Sequence, residues 1–93
     1  MFTGIVQGVA RVTKIKDAPG LRSFTLEFPA GFAAGLEIGA SVSCDGVCLT
    51  VTRLQGEAAA DFDVMQQTLN LTTLGAFGEG DAINVERAAK DLG

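Results

Sequence analysis

The sequence predicts an all-β protein, a six-stranded antiparallel Greek-key barrel with one or two short helical turns. Three observations favour this class: short runs of alternating apolar and polar residues, 12 glycines among 93 residues, and turn signals about every ten residues. A chain of this length forms one small domain, and no internal repeat or low-complexity tract divides it. We expect the barrel to occupy residues 1–87 and a short tail to occupy residues 88–93.

The first part of the chain predicts two long strands. Residues 2–16 form a bent first strand, which Gly4 and Gly8 interrupt. Glycine inside a strand is typical of a bend, a bulge or a close approach by another group. A turn at residues 17–20 leads into a second strand at residues 21–28, where apolar and polar side chains alternate.

The central part predicts one helical turn and a hairpin. Residues 30–36 form the helical turn, and strands at residues 41–44 and 47–54 follow it. Asp45 and Gly46 join these strands, and Asp-Gly between two β-runs is a strong hairpin signal because both residues tolerate positive φ. Alternation places three polar side chains on one face of the second strand: Cys48, Thr50 and Thr52.

The last part predicts two further strands around a short helix. A strand at residues 58–65 is followed by a short helix at 66–71, an irregular segment at 72–77 and a final strand at 82–87. One face of the first of these strands carries Asp61, Asp63 and Met65. This makes six strands, and closing them into an antiparallel Greek-key barrel would remove most exposed edges.

Charge and hydropathy exclude several classes of function. The formal net charge is −4, and the seven Lys and Arg residues are scattered without a basic stripe. Nucleic-acid affinity depends mainly on phosphate neutralisation, so no nucleic-acid partner is expected, and a basic membrane-surface helix is absent. Residues 1–15 have no signal-peptide pattern, and the apolar runs are too short to span a bilayer. We expect a cytoplasmic protein with no membrane partner.

Cysteine and histidine content limits the possible chemistry. Cys44 and Cys48 are the two cysteines, and the chain has no histidine. Two thiols without further ligands cannot complete a zinc shell, so no metal site is predicted. Without a secretion signal both thiols are expected to be free, and Cys44 is expected to be a small core residue. Acid–base chemistry would need a carboxyl or a thiol with a shifted pKa, or a group supplied from elsewhere.

Two segments carry candidate binding residues. Ser41, Cys48 and Thr50 would share one face of the hairpin beside an apolar floor, and residues 63–68 add a carboxylate, an amide and a hydroxyl. Apolar walls with a few convergent polar groups suit a planar heteroaromatic ligand with a polyol tail. The pattern alone does not show that these groups converge.

Plainer interpretations of the same residues stay open, and spacing alone favours them. Threonine is common in strands because of its β-propensity. Asp63 fits a solvated or turn-bonded carboxylate, and Gln67 fits an ordinary surface residue. Met65 fits a side chain that fills a gap in packing.

Several blocks of sequence, in one order, resemble riboflavin synthases and the related lumazine proteins. The chain opens with Met-Phe-Thr-Gly-Ile-Val-Gln-Gly. Gly-Ala-Ser-Val at residues 39–42 then precedes Asp-Gly-Val-Cys-Leu-Thr-Val at residues 45–51. Matching blocks follow at residues 62–69, 72–75 and 80–87. The similarity runs over nearly the whole chain, and such a series is far more specific than any single motif.

The resemblance implies a fold and a reaction. Members of this family contain six-stranded Greek-key barrels, usually two in one chain, and assemble as trimers. The enzyme moves a four-carbon unit between two molecules of 6,7-dimethyl-8-ribityllumazine, which gives riboflavin and a ribitylamino-uracil without a metal or organic cofactor. Holding the two molecules face to face supplies much of the acceleration. Lumazine proteins bind the ligand without catalysis.

The resemblance also assigns roles to residues. The ring pocket would be lined by Thr3, Gly4, Ile5 and Val6. The pteridine and its reacting edge would lie beside Ser41, Cys48 and Thr50, of which Ser41 and Cys48 are the candidate catalytic residues. The ring edge and the ribityl chain would be held by Asp63, Met65, Gln67 and Thr68. Family members often have Glu in place of Gln67; the amide still offers an acceptor to a ribityl hydroxyl, so binding is expected to survive.

The sequence departs from the family pattern in one respect that changes the expected function. In the family a second barrel begins with a Gly-Gly-His segment beyond the position of Gly93, and its histidine is implicated in the active site. We therefore expect half of the composite site to be missing from these 93 residues. The favoured hypothesis is a barrel that binds riboflavin or the lumazine with little turnover and forms a homodimer. The alternatives are an active homo-oligomeric synthase, a non-catalytic flavin or lumazine carrier, and a module for an unrelated ligand.

Overall fold

The computed structural model describes residues 2–88, which form a closed barrel. The strands are β1 (Gly8–Ala18), β2 (Leu21–Glu27), β3 (Ser41–Cys44), β4 (Val47–Gln55), β5 (Ala59–Met65) and β6 (Ala82–Arg87). A helix, α1 (Gln66–Leu71), and a 3-10 turn (Thr73–Ala76) lie between β5 and β6. No helix among the described residues is long and apolar enough to cross a membrane.

The strand order confirms the predicted Greek-key barrel. Neighbours around the barrel run β1-β2-β5-β4-β3-β6, β6 pairs with β1, and every neighbouring pair is antiparallel. Strands β3, β4 and β5 form a meander, and β6 returns by a long connection to lie beside β3. That order defines a Greek key. Because β1 and β6 pair, the first and last strands meet at a seam that closes the barrel.

Alternating side chains fill the interior, as the pattern predicts. Val42 and Cys44 point inward from β3, and Leu49 and Val51 do so from β4. Phe62 of β5 is fully buried at the centre of the core. Since inward residues alternate with outward ones along a strand, the polar residues between them lie on the outer surface of the barrel.

The predicted hairpin turn between β3 and β4 is confirmed. Asp45 has a φ of 52° and Gly46 a φ of 84°, so both residues occupy the left-handed region. Two successive positive φ angles are typical of the type I′ turn, whose twist matches that of the flanking strands. The turn therefore fixes the register that makes Ser41 the partner of Thr50.

Two predicted elements differ from the structure. The strand predicted at residues 2–16 begins only at Gly8, and residues 2–7 form an irregular segment instead. The helical turn predicted at residues 30–36 is a series of tight turns, in which Phe32 donates to the Pro29 carbonyl at 3.1 Å and Leu36 to the Ala33 carbonyl at 3.0 Å. Positive φ at Gly31 and Gly35 prevents these turns from continuing as a helix.

The rest of the chain between β5 and β6 follows the prediction with one addition. The short helix predicted at residues 66–71 is α1, and the segment predicted to be irregular contains the 3-10 turn. Of the predicted tail at residues 88–93, all but Ala88 lies outside the described residues.

Candidate functional site

The candidate site lies on the outer surface of the barrel, on the hairpin formed by β3 and β4. Ser41 pairs directly with Thr50, and Ser43 pairs directly with Cys48. All four side chains point away from the core, because Val42 and Leu49 between them point inward. Cys48 and Thr50 are exposed and Ser41 is half-buried. The structure therefore brings Ser41, Cys48 and Thr50 onto one face, which is open rather than enclosed.

The N-terminal segment, residues 3–6, borders this face. The carboxylate of Glu86 on β6 accepts the Thr3 N–H at 2.6 Å and the Thr3 hydroxyl at 2.7 Å, both on Oε2, and the Gly4 N–H at 3.1 Å on Oε1. Glu86 pairs with Ser43 of β3, so the carboxylate belongs to the same outer surface as the hairpin residues. Ile5 and Val6 follow with exposed fractions of 69% and 53%.

Glu86 is unusual for a carboxylate because only 5% of its surface is exposed. The Thr3 hydroxyl, and to a lesser extent the Thr3 and Gly4 amides, hold the pKa of Glu86 below its ordinary value, although desolvation acts in the opposite direction. These donors replace the water that burial removes. Glu86 is therefore ionised near neutral pH and fixes Thr3 and Gly4 on β6.

Strand β5 supplies the next part of the surface. Phe62 of β5 pairs with Val51 of β4. Asp63 and Thr50 adjoin this inward-facing pair, one on each strand, and both point outward. Asp63 accepts a hydrogen bond of 2.6 Å from the Ser23 hydroxyl of β2. Met65 ends β5 and is 63% exposed. Asp63 and Met65 share the outer face, as the alternation predicts.

The two predicted residues on α1 lie directly beyond the end of β5. Gln67 is exposed and Thr68 is half-buried. The Thr68 carbonyl accepts a hydrogen bond from the Thr72 hydroxyl at 2.7 Å, which closes the end of the helix. The Thr73 hydroxyl donates to Asp45 at 2.5 Å and ties this region to the β3–β4 turn. The structure therefore places the 3-10 turn that follows α1 next to the β3–β4 turn.

Cavities near these residues are small or strongly polar. A hollow of about 80 Å³ is lined by residues that include Gly4, Val6, Ser43 and Glu86. A groove of about 370 Å³ includes Asp63 but runs along β1, β2, β4 and β5, where its other walls are polar or charged. Its lining is Lys14, Lys16, Ser23, Thr25, Thr52, Arg53, Gln55, Asp61 and Asp63. Sites for flat heteroaromatic ligands are mostly apolar, so the hairpin face with Ile5, Val6 and Met65 fits such a ring better.

The two cysteines have opposite environments. Cys44 is fully buried in the barrel, and burial raises the pKa of its thiol to about 12. Cys48 is exposed on the candidate site, and both are free thiols. Only the Cys48 thiol is thus available to a ligand or a reagent. The described residues contain no group of three or more His, Cys, Asp and Glu side chains that could hold a metal ion.

Sequence reasoning missed two residues of this surface, Ser43 and Glu86. Ser43 alternates in phase with Ser41, so the period-two pattern could have identified it. Glu86 had no such signal, because nothing local shows that its carboxylate meets amides more than 80 positions earlier in the chain. Charged side chains that point outward near the end of a strand are normally solvated.

Comparison with known proteins identifies the family. The model of the lumazine binding domain matches residues 3–88. Riboflavin synthase of Escherichia coli strain K12 is 50% identical over 90 residues, and that of Mycobacterium bovis is 37% identical over 89 residues. These alignments cover 97% and 96% of this chain but 42% and 44% of those proteins, so the chain spans less than half of their length.

Solved structures agree with the sequence matches. A crystal structure of LumP complexed with riboflavin superposes with a TM-score of 0.87 and 31% identity, over 100% of this chain and 51% of that one. LumP complexed with 6,7-dimethyl-8-(1'-D-ribityl) lumazine gives a TM-score of 0.86 at 31% identity, over 100% of this chain and 50% of that one. Family model, relatives and fold agree over the described barrel, and the chain belongs to the lumazine-binding domain family, with homology to riboflavin synthases.

Proposed function

We propose that this domain binds one molecule of riboflavin or 6,7-dimethyl-8-ribityllumazine on the hairpin face, with little or no turnover by the domain alone. The observation that carries the proposal is the convergence of Ser41, Cys48 and Thr50 on one face bordered by residues 3–6, in a fold whose neighbours include LumP complexes with both ligands. The reaction of the longer riboflavin synthases belongs to a chain of more than twice this length.

The chemistry of the surface suits both parts of such a ligand. Ile5, Val6 and Met65 expose apolar surface that a flat ring can cover, and each buried Å² of apolar surface contributes roughly 25 cal/mol. Ser41 and Thr50 offer hydroxyls that donate to or accept from the ring edge. Polar groups on an apolar surface fix the orientation of a ligand more than they add affinity.

The ribityl chain would extend toward β5 and α1. The Asp63 carboxylate accepts one hydrogen bond from Ser23 and keeps further acceptor positions. Gln67 and Thr68 lie on α1, just beyond Met65. Carboxylate, amide and hydroxyl groups are suitable partners for the hydroxyls of a polyol. No metal or organic cofactor is part of this proposal.

Low turnover by the isolated domain follows from its side chains. The reaction needs a proton removed from a lumazine methyl group and a second lumazine held against the first. These 93 residues contain no histidine, so the usual general base near neutral pH is absent. Cys48 and Ser41 are the groups on the face that could assist, and the face is open to water.

We also propose that the domain forms a homodimer. In a homodimer the alternative function, weak synthase activity, becomes possible. The exposed apolar side chains of Ile5, Val6 and Met65 favour contact with another surface. A twofold pairing would place two such faces opposite each other. Two lumazines held in this way could react slowly through proximity alone. A domain that does not pair with a second copy would bind riboflavin or the lumazine without catalysis, as a carrier.

The test is a titration of the purified protein with each ligand, followed by ligand fluorescence. We expect saturable binding at one ligand per barrel, weakened about tenfold in Thr50→Val through loss of a hydrogen bond. Thr52→Val is the matched control, because Thr52 lies on the same strand and face but donates to the Asp61 carbonyl at 3.2 Å. Absence of binding to either ligand would overturn the proposal.

The alternative is tested separately. Prolonged incubation with 6,7-dimethyl-8-ribityllumazine, assayed for riboflavin, measures turnover, and sedimentation measures association. Riboflavin formation that depends on protein concentration and is lost in Cys48→Ser or Ser41→Ala would favour the homo-oligomeric synthase. Binding without product would favour the carrier.

A further inference from the structure

We infer that Glu86 is the positioning residue of the ligand site: its carboxylate holds residues 3–6 against the barrel so that Ile5 and Val6 form one wall. That this wall contacts the ligand rests on the proposed function. That Glu86 holds the wall in place rests on hydrogen bonds within the chain. Glu86 itself is shielded from the face by the segment that it binds.

Three hydrogen-bond donors converge on the carboxylate of Glu86. Oε2 accepts both the N–H and the hydroxyl of Thr3, and Oε1 accepts the N–H of Gly4. The Thr3 hydroxyl in turn accepts the Ile5 N–H at 3.2 Å. Successive N–H groups directed at one anion form a compact anion-binding arrangement. Three consecutive residues are therefore organised around a single buried charge.

The other end of the segment is also attached to β6, through Gln7. The Gln7 N–H donates to the Val85 carbonyl at 3.0 Å, and the Gln7 side chain accepts the Arg87 N–H at 2.8 Å. Residues 3–6 are thus held at both ends by β6, through Glu86 on one side and by the strand backbone on the other. Ile5 and Val6 lie between these anchors with their side chains exposed.

The bonds to Glu86 are what attach Thr3 and Gly4 to the barrel. Among the described residues, the hydrogen bonds of Thr3 and Gly4 to groups outside the segment all end on Glu86. Gly4 also has a φ of 81°, a conformation that turns the chain toward the carboxylate and that other residues adopt at a cost. Without the charge, the segment would keep its link at Gln7 and lose the one that fixes Ile5.

The variant that tests this is Glu86→Gln. The amide keeps one oxygen, but its NH2 group must face a Thr3 or Gly4 donor, so at least one bond is replaced by an unfavourable contact. We expect ligand affinity to fall about tenfold or more, because hydrogen bonds to a charged group are strong. Glu79→Gln is the matched control: Glu79 also accepts a backbone N–H, that of Ile15 at 2.9 Å, but does so away from the candidate site.

A second variant separates positioning from general destabilisation. Deleting residues 2–6 removes the segment and leaves Gln7 at the start of the barrel. If Glu86 acts through the segment, the deletion should weaken binding at least as much as Glu86→Gln, and Glu86→Gln added to the deletion should change affinity less than about twofold. If Glu86→Gln and the deletion each weaken binding and their fold-changes multiply in the combined variant, the inference is overturned.

A third measurement does not depend on the ligand. The amide resonances of Thr3 and Gly4 should lie far downfield in the parent protein and move to ordinary positions in Glu86→Gln, while the core resonances stay unchanged. Unmoved amides would overturn the inference, as would unchanged affinity once the amides are released. If the parent binds neither ligand, the proposed function fails, and the amide resonances alone decide whether Glu86 holds the segment.

Discussion

The Ser23 hydroxyl on β2 donates a 2.6 Å hydrogen bond to the Asp63 carboxylate on β5, and the two residues are direct partners in the β2–β5 ladder. The carboxylate is therefore held in one orientation before any ligand arrives. Preorganisation of this kind reduces the entropy lost on binding. It also leaves acceptor positions of Asp63 directed away from Ser23.

This relationship predicts an asymmetry between two substitutions. Asp63→Ala should weaken the binding of riboflavin or the lumazine about tenfold, since a charge-assisted hydrogen bond to the ribityl chain is lost. Ser23→Ala should weaken it no more than about threefold, because the carboxylate remains and only its orientation is freed. Fluorescence titration measures both. Equal losses in the two variants would contradict a direct contact between Asp63 and the ligand.

The two cysteines predict a difference in reactivity. A thiol reagent should modify Cys48 in the native protein and reach Cys44 only after unfolding, because Cys44 is buried and its pKa is raised to about 12. Bound ligand should protect Cys48 from modification. Mass spectrometry after alkylation, with and without riboflavin, measures this. Modification of Cys48 at the same rate with saturating ligand would place the ligand elsewhere.

The same pair provides a matched test of stability. Cys44→Ser places a hydroxyl in the apolar core and should lower the free energy of unfolding by about 1–3 kcal/mol. Cys48→Ser changes an exposed side chain and should stay within about 0.5 kcal/mol. Urea denaturation gives both values. A large loss in Cys48→Ser would show that its side chain is part of the packing.

Much of the barrel could be predicted from these local patterns. Alternation identified the inward and outward faces of β4 and β5, and Asp45-Gly46 identified the hairpin that pairs Ser41 with Thr50. Both signals depend on residues near one another in the chain. Alternation and residue type had already indicated Ser41, Cys48, Thr50 and residues 63–68 as candidates. The resemblance to riboflavin synthases added residues 3–6 and the identity of the candidate ligand.

The errors come from contacts between distant parts of the chain and, at residues 30–36, also from two glycines with positive φ. Residues 2–7 were predicted as the start of the first strand, but Thr3 and Gly4 donate to a side chain of β6 rather than to the backbone of a neighbouring strand. Residues 30–36 were predicted as a helical turn. There Arg87 donates to the carbonyls of Phe32 and Ala34, which holds the tight turns in place. No local pattern encodes these bonds.

Glu86 predicts a dependence of stability on pH. Its pKa lies below the ordinary value of 4.5 in the folded protein, so its contribution is complete above that value and is lost as the pH falls through the folded pKa. The difference in unfolding free energy between the parent and Glu86→Gln should therefore be largest near neutral pH and shrink below about pH 4.5. Denaturation at a series of pH values measures it.

A control separates this effect from other carboxylates. Asp17 also has a lowered pKa, through its hydrogen bond with Arg22 at 2.6 Å, but this pair joins the ends of β1 and β2, where Asp17 is exposed. Asp17→Asn should show a smaller difference with the same sign, since exposed ion pairs contribute little. A difference for Glu86→Gln that stays constant from pH 7 to pH 3 would mean that the carboxylate is not the stabilising form.

Gly75 in the 3-10 turn predicts a steric effect. A Cβ at this position would lie 2.7 Å from the Leu69 carbonyl oxygen, so Gly75→Ala forces the turn and α1 apart. We expect a loss of about 1–3 kcal/mol, and each kcal/mol lowers the melting temperature of a domain this size by about 4–8 °C. Gly78→Ala is the control, because its Cβ would meet only Asp81, at 3.8 Å. Similar melting temperatures for the two variants would contradict the predicted contact.

The pairing of β1 with β6 has a kinetic consequence. Gly8 pairs with Val85, so this pairing joins nearly opposite ends of the described chain. The β3–β4 hairpin can form within about 1–10 μs, whereas contacts between distant residues make barrels fold in milliseconds to seconds. If the seam closes after the folding transition state, substitutions there should mainly speed unfolding. Since residues 3–7 bind to β6 and continue directly into β1, opening of the seam would also displace the wall that Ile5 and Val6 form.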